Sequence, residues 1–178
     1  VTPTLVFQSN EDMKSVYNEW YENSTNAINK YGQETTWSTE KIQDFSCFFN
    51  GRIATDHPDI SKWDTSNATN MDGLFSFSNF NKQIETQIQD DKIKWDMSNV
   101  QSTIGMFYGN LEFNQRIRNW YLPSLRSAQY MFSASKFNKS IKTNSDDTTG
   151  VKTYYEGKGK IYMAWDMERV EDMRYMFA

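Results

Sequence analysis

The sequence predicts an α/β repeat solenoid in which each repeat contributes one short parallel strand and one short helix, with a helical cap at the N-terminus. Three observations predict this fold class. A tryptophan recurs along the chain, a Phe-Asn-x-x-Ile motif follows most of these tryptophans, and an amphipathic segment without the motif precedes the first unit. A unit with two short elements cannot bury its apolar face alone, so neighbouring units must stack.

The predicted cap occupies residues 1–36. Asn10 is a favourable N-cap residue, and acidic residues follow it where the helix dipole favours them. Apolar residues then recur at helical spacing: Met13, Val16, Tyr17, Trp20, Tyr21, Ala27, Ile28 and Tyr31. We expect an amphipathic helix over about 11–31, broken near Asn23, that covers the open end of the first repeat. A partner-binding helix is the alternative interpretation.

The predicted repeat domain occupies residues 37–178. Its units begin at Trp37, Trp63, Trp95, Trp120 and Trp165. Small or apolar residues recur 5, 8, 11 and 12 positions after each tryptophan, and Thr103 is the polar exception. In the shortest unit, residues 114–120 predict a strand and residues 102–109 predict one or two helical turns. We expect the side chains of the motif asparagines to satisfy turn backbone; these are Asn50, Asn81, Asn114 and Asn138.

Extra residues enter the repeats mainly between the motif isoleucine and the next tryptophan. The insertions are 54–60, 85–94 and 142–164. The longest predicts a polar loop followed by a β-hairpin with strands 151–155 and 160–163, from which three tyrosines project. Because tyrosine favours interfaces, the two longer insertions predict a recognition surface. Its candidate ligand-binding residues are Tyr154, Tyr155, Tyr162, Gln87 and Gln89. The alternative is that both insertions are spacers.

One run of the sequence has a recognisable family pattern. Trp-Asp-Thr-Ser-Asn-Ala-Thr-Asn-Met-Asp-Gly-Leu-Phe at 63–75, followed by Phe80-Asn81, resembles the repeat of BspA-like leucine-rich-repeat surface proteins. More narrowly, it is similar to the repeat of about 25 residues in mycoplasma surface lipoproteins. The resemblance covers about residues 37–178, although 121–125 departs from the pattern. It implies a leucine-rich-repeat-like stack at the cell surface or outside the cell, with an anchor that is not present in this chain.

Composition argues against several classes of protein. The chain has 19 Lys and Arg against 23 Asp and Glu, so it lacks the basic balance of a nucleic-acid-binding protein. No apolar run approaches the roughly 20 residues that a transmembrane helix needs. A single cysteine cannot form an internal disulfide or a multi-cysteine zinc site. We expect Cys47 to be a small buried core residue and His57 to lie in a solvated turn.

Candidate catalytic groups are few. Asp64, Asp96 and Asp166 each follow a repeat tryptophan, so we interpret them as turn or cap residues, because catalysis needs one asymmetric site. The pairs at 90–91 and 146–147 lie in polar insertions, where we expect solvated loops. The sequence therefore predicts no catalytic residue, no metal ligand and no cofactor.

These observations predict a non-enzymatic, surface-exposed repeat module for adhesion or for binding a host or partner protein. Its partner would be a protein or glycan on another cell or host. A carbohydrate-binding module stays open as an alternative, as does an architectural subunit of a surface layer or of a viral or phage appendage. The unfinished C-terminal repeat leaves self-association open as a further prediction.

Overall fold

Two helices precede the repeats. The structure, a computed structural model, describes residues 4–141 and 149–178. Helix α1 spans Asn10–Glu22 and helix α2 spans Ser24–Tyr31, in the segment where the sequence predicts one broken helix. Ser9, one residue before the predicted cap, accepts a hydrogen bond from the Asp12 N–H at 3.1 Å. The break falls at Asn23, whose side chain caps α2. A 3-10 helix at Glu34–Thr36 then leads into the first repeat.

The predicted fold class is wrong. The remaining regular elements of the described residues are strands β1 (Gln87–Gln89) and β2 (Lys92–Lys94), which pair antiparallel, and helix α3 (Val151–Glu156). Residues 114–120 form no strand and residues 102–109 form no helix; both consist of turns and irregular backbone. The structure is therefore not an α/β repeat solenoid built from one parallel strand and one helix in each unit.

Overlapping turns replace the predicted strands and helices. Each repeat tryptophan is followed by an apolar pair, at 48–49, 74–75, 106–107, 131–132 and 176–177. Around the first four pairs, alternate N–H groups donate to carbonyls of the next unit, as Gly105 N–H does to Gln129 O at 2.8 Å. The intervening N–H groups bond within their own unit, as Tyr108 N–H does to Gly105 O at 3.0 Å. Each unit therefore satisfies part of its backbone hydrogen bonding through its neighbour, so the units can pack without regular strands or helices.

Left-handed backbone explains why these turns cannot become strands or helices. Residues directly before the apolar pair have φ between 55° and 60°: Cys47, Gly73, Gly105, Tyr130 and Tyr175. Residues three positions after the first member of the pair have φ between 52° and 68°: Gly51, Phe77, Gly109 and Ala134. Because regular strands and right-handed helices need negative φ, these repeated positions interrupt both.

The units nevertheless lie on top of one another. Single parallel β-bridges join Asp44 to Asn70, then Ser102, Ser127 and Asp172 in turn. The inner column is formed by four stacked tryptophans with centroids 5.8–6.4 Å apart: Trp63, Trp95, Trp120 and Trp165. Trp37 lies outside this column. Tyr17 of α1 contacts both Trp37 and Trp63, and its hydroxyl accepts a hydrogen bond from the Trp63 indole N–H at 2.8 Å.

The two longer insertions pack together. Together with Tyr121 they form a second hydrophobic core, separate from the core of the stacked units. It contains Ile93, Tyr121, Val151, Tyr155, Tyr162 and Ala164. The predicted hairpin at 151–163 is wrong, because Val151 begins helix α3. Val151 and Tyr155 are four residues apart, which places both side chains on the helix face that is buried in this core. Residues 142–148 of the predicted polar loop lie outside the described residues.

Candidate functional site

The structure buries two of the tyrosines expected to project from the long insertion. Tyr155 and Tyr162 are each only 1% exposed, so the prediction that they project is wrong. The Tyr155 hydroxyl donates to Asp96 Oδ1 at 2.7 Å, and the Tyr162 hydroxyl donates to Asn119 O at 3.0 Å. Burial and the Asp96 carboxylate raise the pKa of Tyr155, which keeps its proton in this bond. These side chains therefore fasten the insertion to the repeats.

The other candidate residues offer a modest polar surface. Tyr154 is half-buried, and Lys158 donates to its hydroxyl at 2.6 Å. Gln87 and Gln89 lie half-buried in β1. Gln89 also lines an open groove of about 500 Å³ between the β1–β2 hairpin and the N-terminal segment. Because lysines and acidic residues both line this groove, it shows no preference for a ligand of one charge.

The motif asparagines link successive units. Asn81 Oδ1 accepts from the Asn114 N–H at 3.0 Å, and Asn114 Oδ1 accepts from the Asn138 N–H at 3.1 Å. The Asn114 side-chain amide also donates to Asn138 Oδ1 at 2.9 Å. Asn50 lies exposed in the first unit. The side chains of Asn81, Asn114 and Asn138 are therefore engaged with neighbouring turns.

The repeated aspartates form Asx turns, as the sequence predicts. Each Oδ1 accepts a hydrogen bond from the N–H two residues ahead: Asp64 from Ser66, Asp96 from Ser98 and Asp166 from Glu168. Asp90 and Asp91 are exposed and form the tight turn between β1 and β2, both with positive φ. Asp96 is buried beside the Tyr155 hydroxyl, and the other four carboxylates are at least partly exposed.

Two expectations about single residues are wrong. Cys47 is exposed, because it occupies the left-handed position before its apolar pair, on the outer side of the turn. His57 is only 4% exposed and hydrogen-bonded through both ring nitrogens, because helix α1 folds over it. The local sequence therefore predicts the wrong exposure for both side chains.

An exposed line of aromatic side chains runs along the stack. This aromatic row consists of Phe77, Tyr108, Tyr130 and Tyr175, which are 36–61% exposed. Ring centroids are 5.0 Å apart for Phe77–Tyr108, 6.3 Å for Tyr108–Tyr130 and 5.1 Å for Tyr130–Tyr175. The row therefore forms a continuous aromatic surface across four units.

The members of the aromatic row occupy different positions of the repeat. Tyr130 and Tyr175 lie directly before their apolar pairs, Tyr108 lies directly after its pair, and Phe77 lies one residue further along. The row cannot be recognised from the sequence, because its members are not separated by a constant spacing. Only the stacking of the turns brings these side chains together.

Three members of the row adopt an unfavourable backbone conformation. Phe77, Tyr130 and Tyr175 have φ of 54°, 56° and 57°. A left-handed conformation costs a non-glycine residue about 1–2 kcal/mol. Glycine takes the equivalent positions in other units, such as Gly105 and Gly109. The chain therefore adopts an unfavourable backbone conformation at these exposed aromatic residues, although glycine forms the same turn in other units without that cost.

The neighbouring backbone accommodates the row. A Cβ atom on Gly109 would lie 2.7 Å from Phe77 Cδ1, so the Phe77 ring packs where a larger residue would clash. At the opposite end, Arg174 forms a two-pronged pair with Asp172, with an Nη2–Oδ2 distance of 2.7 Å. This guanidinium holds the pKa of the Asp172 carboxyl well below its usual range. Arg174 stays largely exposed beside Tyr175.

The described part of the chain shows neither a metal cluster nor a membrane span. Within residues 4–141 and 149–178, no group of three or more His, Cys, Asp or Glu side chains is arranged to hold a metal ion. The helices in these ranges are too short or too polar to cross a bilayer.

Comparison with known proteins identifies a family. The profile described as "Mycoplasma protein of unknown function, DUF285" matches residues 11–145, about three quarters of the chain. The match begins within α1, so the family pattern includes the helices as well as the repeats. Neither the curated proteins nor the solved structures yielded a match. The chain belongs to the DUF285 family.

Proposed function

We propose that this chain is a non-enzymatic, surface-exposed binding module whose aromatic row takes a partner protein on another cell or host. One observation carries the proposal: four exposed aromatic residues from unequal repeat positions meet in one line. Contiguous exposed apolar surface is typical of interaction sites. The strained backbone beneath three of the rings supports a role other than stability.

The orientation of the rings favours a protein partner. Tyr130 and Tyr175 stack with an interplanar angle of 14°, so their adjoining faces cover one another. Their edges and hydroxyls are left to meet a partner, and Arg174, the residue before Tyr175, is largely exposed as well. Tyrosine and arginine together are the residue types that dominate protein–protein binding energy. The resemblance to BspA-like surface proteins also supports an adhesive role outside the cell.

A glycan is the second candidate, and one ring favours it. Tyr108 lies at 78° to Phe77 and at 70° to Tyr130, so neither neighbour stacks on its faces. An aromatic face that is not covered by stacking is what a sugar ring would need. Phe77 also has no stacked neighbour, but its ring packs on Gly109, so we place the glycan second.

The test compares two double variants that differ in position. Tyr130→Ser with Tyr175→Ser removes half of the aromatic row, whereas Ile53→Ser with Ile161→Ser removes exposed apolar side chains that lie elsewhere. We expect the row variant to lose at least about tenfold in affinity for a panel of cultured cells, because two anchors worth over 1 kcal/mol are removed. Flow cytometry with labelled protein measures this binding, and the isoleucine variant should bind like the wild type.

Treating the cells separates the two partner classes. Protease treatment should abolish binding of the wild-type chain, whereas loss of binding only after glycosidase treatment would favour the glycan. A folded row variant with wild-type affinity would contradict the assignment to the aromatic row. Self-association through the last repeat stays a separate prediction, which light scattering over a range of concentrations measures.

A further inference from the structure

The chain's only histidine lies at the junction between the helices and the repeats. His57 Nδ1 is 2.5 Å from the Tyr21 hydroxyl of α1, and Nε2 is 2.7 Å from Asn79 Oδ1 in the second unit. The rings of Tyr21, Phe49 and Phe80 pack around the imidazole with centroids 5.4–6.1 Å away. One buried side chain therefore links α1 to the repeats.

The surrounding hydrogen bonds determine which ring nitrogen carries the proton. Asn79 Oδ1 accepts from the Ala54 N–H at 3.0 Å, and Asn79 Nδ2 donates to Ala54 O at 2.8 Å. These two bonds orient the amide with its oxygen toward His57. Nε2 must then be the donor, so Nδ1 accepts from the Tyr21 hydroxyl. Burial raises the pKa of Tyr21, which keeps that hydroxyl protonated. The neutral imidazole satisfies every one of these groups.

A second proton on His57 would disrupt this arrangement. Nδ1 would become a donor facing the hydroxyl hydrogen of Tyr21, which would have to turn away from its acceptor. The charged groups nearby are Asp56, paired with Lys82 at 2.6 Å, and Arg52, whose guanidinium lies 4.3 Å from the Tyr21 ring centre. Burial lowers the pKa of His57, and Lys82 and Arg52 act in the same direction, against the opposing effects of Asn79 and Asp56.

We propose that His57 is a pH-sensitive latch, in which protonation in mildly acidic solution loosens helix α1 from the first repeats. The latch is separate from the aromatic row and does not depend on its role. The unfolded chain binds the proton more readily than the folded chain, so stability is full above the unfolded pKa of about 6.5 and falls as the pH drops below it. For each unit that separates the two pKa values, the opening equilibrium increases by about tenfold once the pH is below both.

Proton NMR of the single imidazole tests the latch directly. Because the chain contains one histidine, its ring signals give one titration curve without assignment. We expect the midpoint in the folded chain to lie below about 6.5. A midpoint at or above that value would overturn the proposal, because the folded state would then hold the proton at least as well as the unfolded state.

Hydrogen exchange shows which part of the molecule opens. Protection of the α1 amides, corrected for intrinsic exchange, should fall between pH 7.5 and pH 5.5, while protection of α3 stays constant. Asn79→Asp places a carboxylate beside Nε2 and should raise the histidine midpoint and reduce this loss. His57→Gln cannot titrate and should show no such loss in α1. Equal changes in α1 and α3 of the wild type, or an unchanged loss in the folded Asn79→Asp variant, would overturn the latch.

Discussion

The inner column and the aromatic row use similar side chains for different purposes. The four tryptophans of the inner column are at most 1% exposed, stack within 16° of parallel and begin four successive units. The aromatic row is exposed, alternates between edge-on and stacked contacts, and draws on three different repeat positions. Repetition at one position therefore marks a structural residue, whereas convergence from several positions requires another explanation.

Hydrogen bonding separates the same two regions. Each indole N–H of the inner column has a buried partner: Trp63 donates to Tyr17 of α1, and the other three donate to isoleucine carbonyls that lie two units earlier in the chain. The hydroxyls of Tyr108, Tyr130 and Tyr175 belong to partly exposed side chains, and none has a hydrogen-bond partner among the described residues. Removing an inner ring therefore leaves a cavity and breaks a buried hydrogen bond, while removing a row ring does neither.

The largest difference should appear when one ring from each region is truncated. Trp95→Ala should lower the free energy of unfolding by about 3–5 kcal/mol, because a buried tryptophan is lost together with its hydrogen bond to the Ile60 carbonyl. Tyr108→Ala should change it by less than about 1 kcal/mol. Urea denaturation followed by circular dichroism measures both values. Equal losses would mean that the aromatic row belongs to the core.

A smaller difference should appear at one left-handed turn position of two units. Gly109→Ala adds a Cβ at a φ of 67°, only 2.7 Å from the Phe77 ring, and should destabilise the chain by about 2–3 kcal/mol. Ala134→Gly relieves the strain at a φ of 52° and should stabilise it by up to about 1 kcal/mol.

Thermal denaturation of Gly109→Ala, Ala134→Gly and the double variant Phe77→Ala/Gly109→Ala tests whether the packing of Phe77 on Gly109 causes the loss of stability. If the clash with Phe77 matters, the double variant should recover part of the loss. A Gly109→Ala chain as stable as the wild type would show that neither the left-handed position nor the packing of Phe77 on this glycine is constrained.

The smallest comparison concerns adjacent tyrosines of the long insertion. Tyr155→Phe should cost about 1–3 kcal/mol, because it removes a buried hydrogen bond to Asp96. Tyr154→Phe should cost less than about 0.5 kcal/mol, because its hydroxyl lies near the surface beside Lys158. Chemical denaturation of the two variants under the same conditions checks the difference. The reverse ranking would contradict the role of Tyr155 as the fastener of the second core.

Side-chain periodicity predicted which residues lie inside the repeats better than it predicted the backbone. The tryptophans, the apolar pairs of the first four units and the buried Thr103 lie where a repeating register would place them, whereas Phe177 of the last pair is exposed. The same register was compatible with strands, helices or turns. The left-handed positions exclude regular strands and helices. They cannot be recognised in the sequence where Cys47, Phe77 or Tyr130 occupies a site that suits glycine.

The insertions show a second reason for incorrect prediction. Tyr155 and Tyr162 are predicted to project from the arms of a hairpin, yet residues of β2, α3 and the repeats form a core that encloses them. His57 is predicted to lie in a solvated turn because Asp56, Pro58 and Asp59 flank it, but α1 covers it. In both places the residues that bury the side chain are distant in the sequence, so the local sequence could not reveal the burial.

The sequence by itself determined the period of the stack, the alignment of its inner aromatic residues and the two helices that precede them, because these follow from regularly spaced apolar side chains and local capping groups. Tertiary structure alone decided that the units are turns, that two tyrosines and the histidine are buried, and that four aromatic residues share an outer face. These features depend on backbone bonds and contacts between residues far apart in the chain, and a repeating pattern carries no information about such contacts.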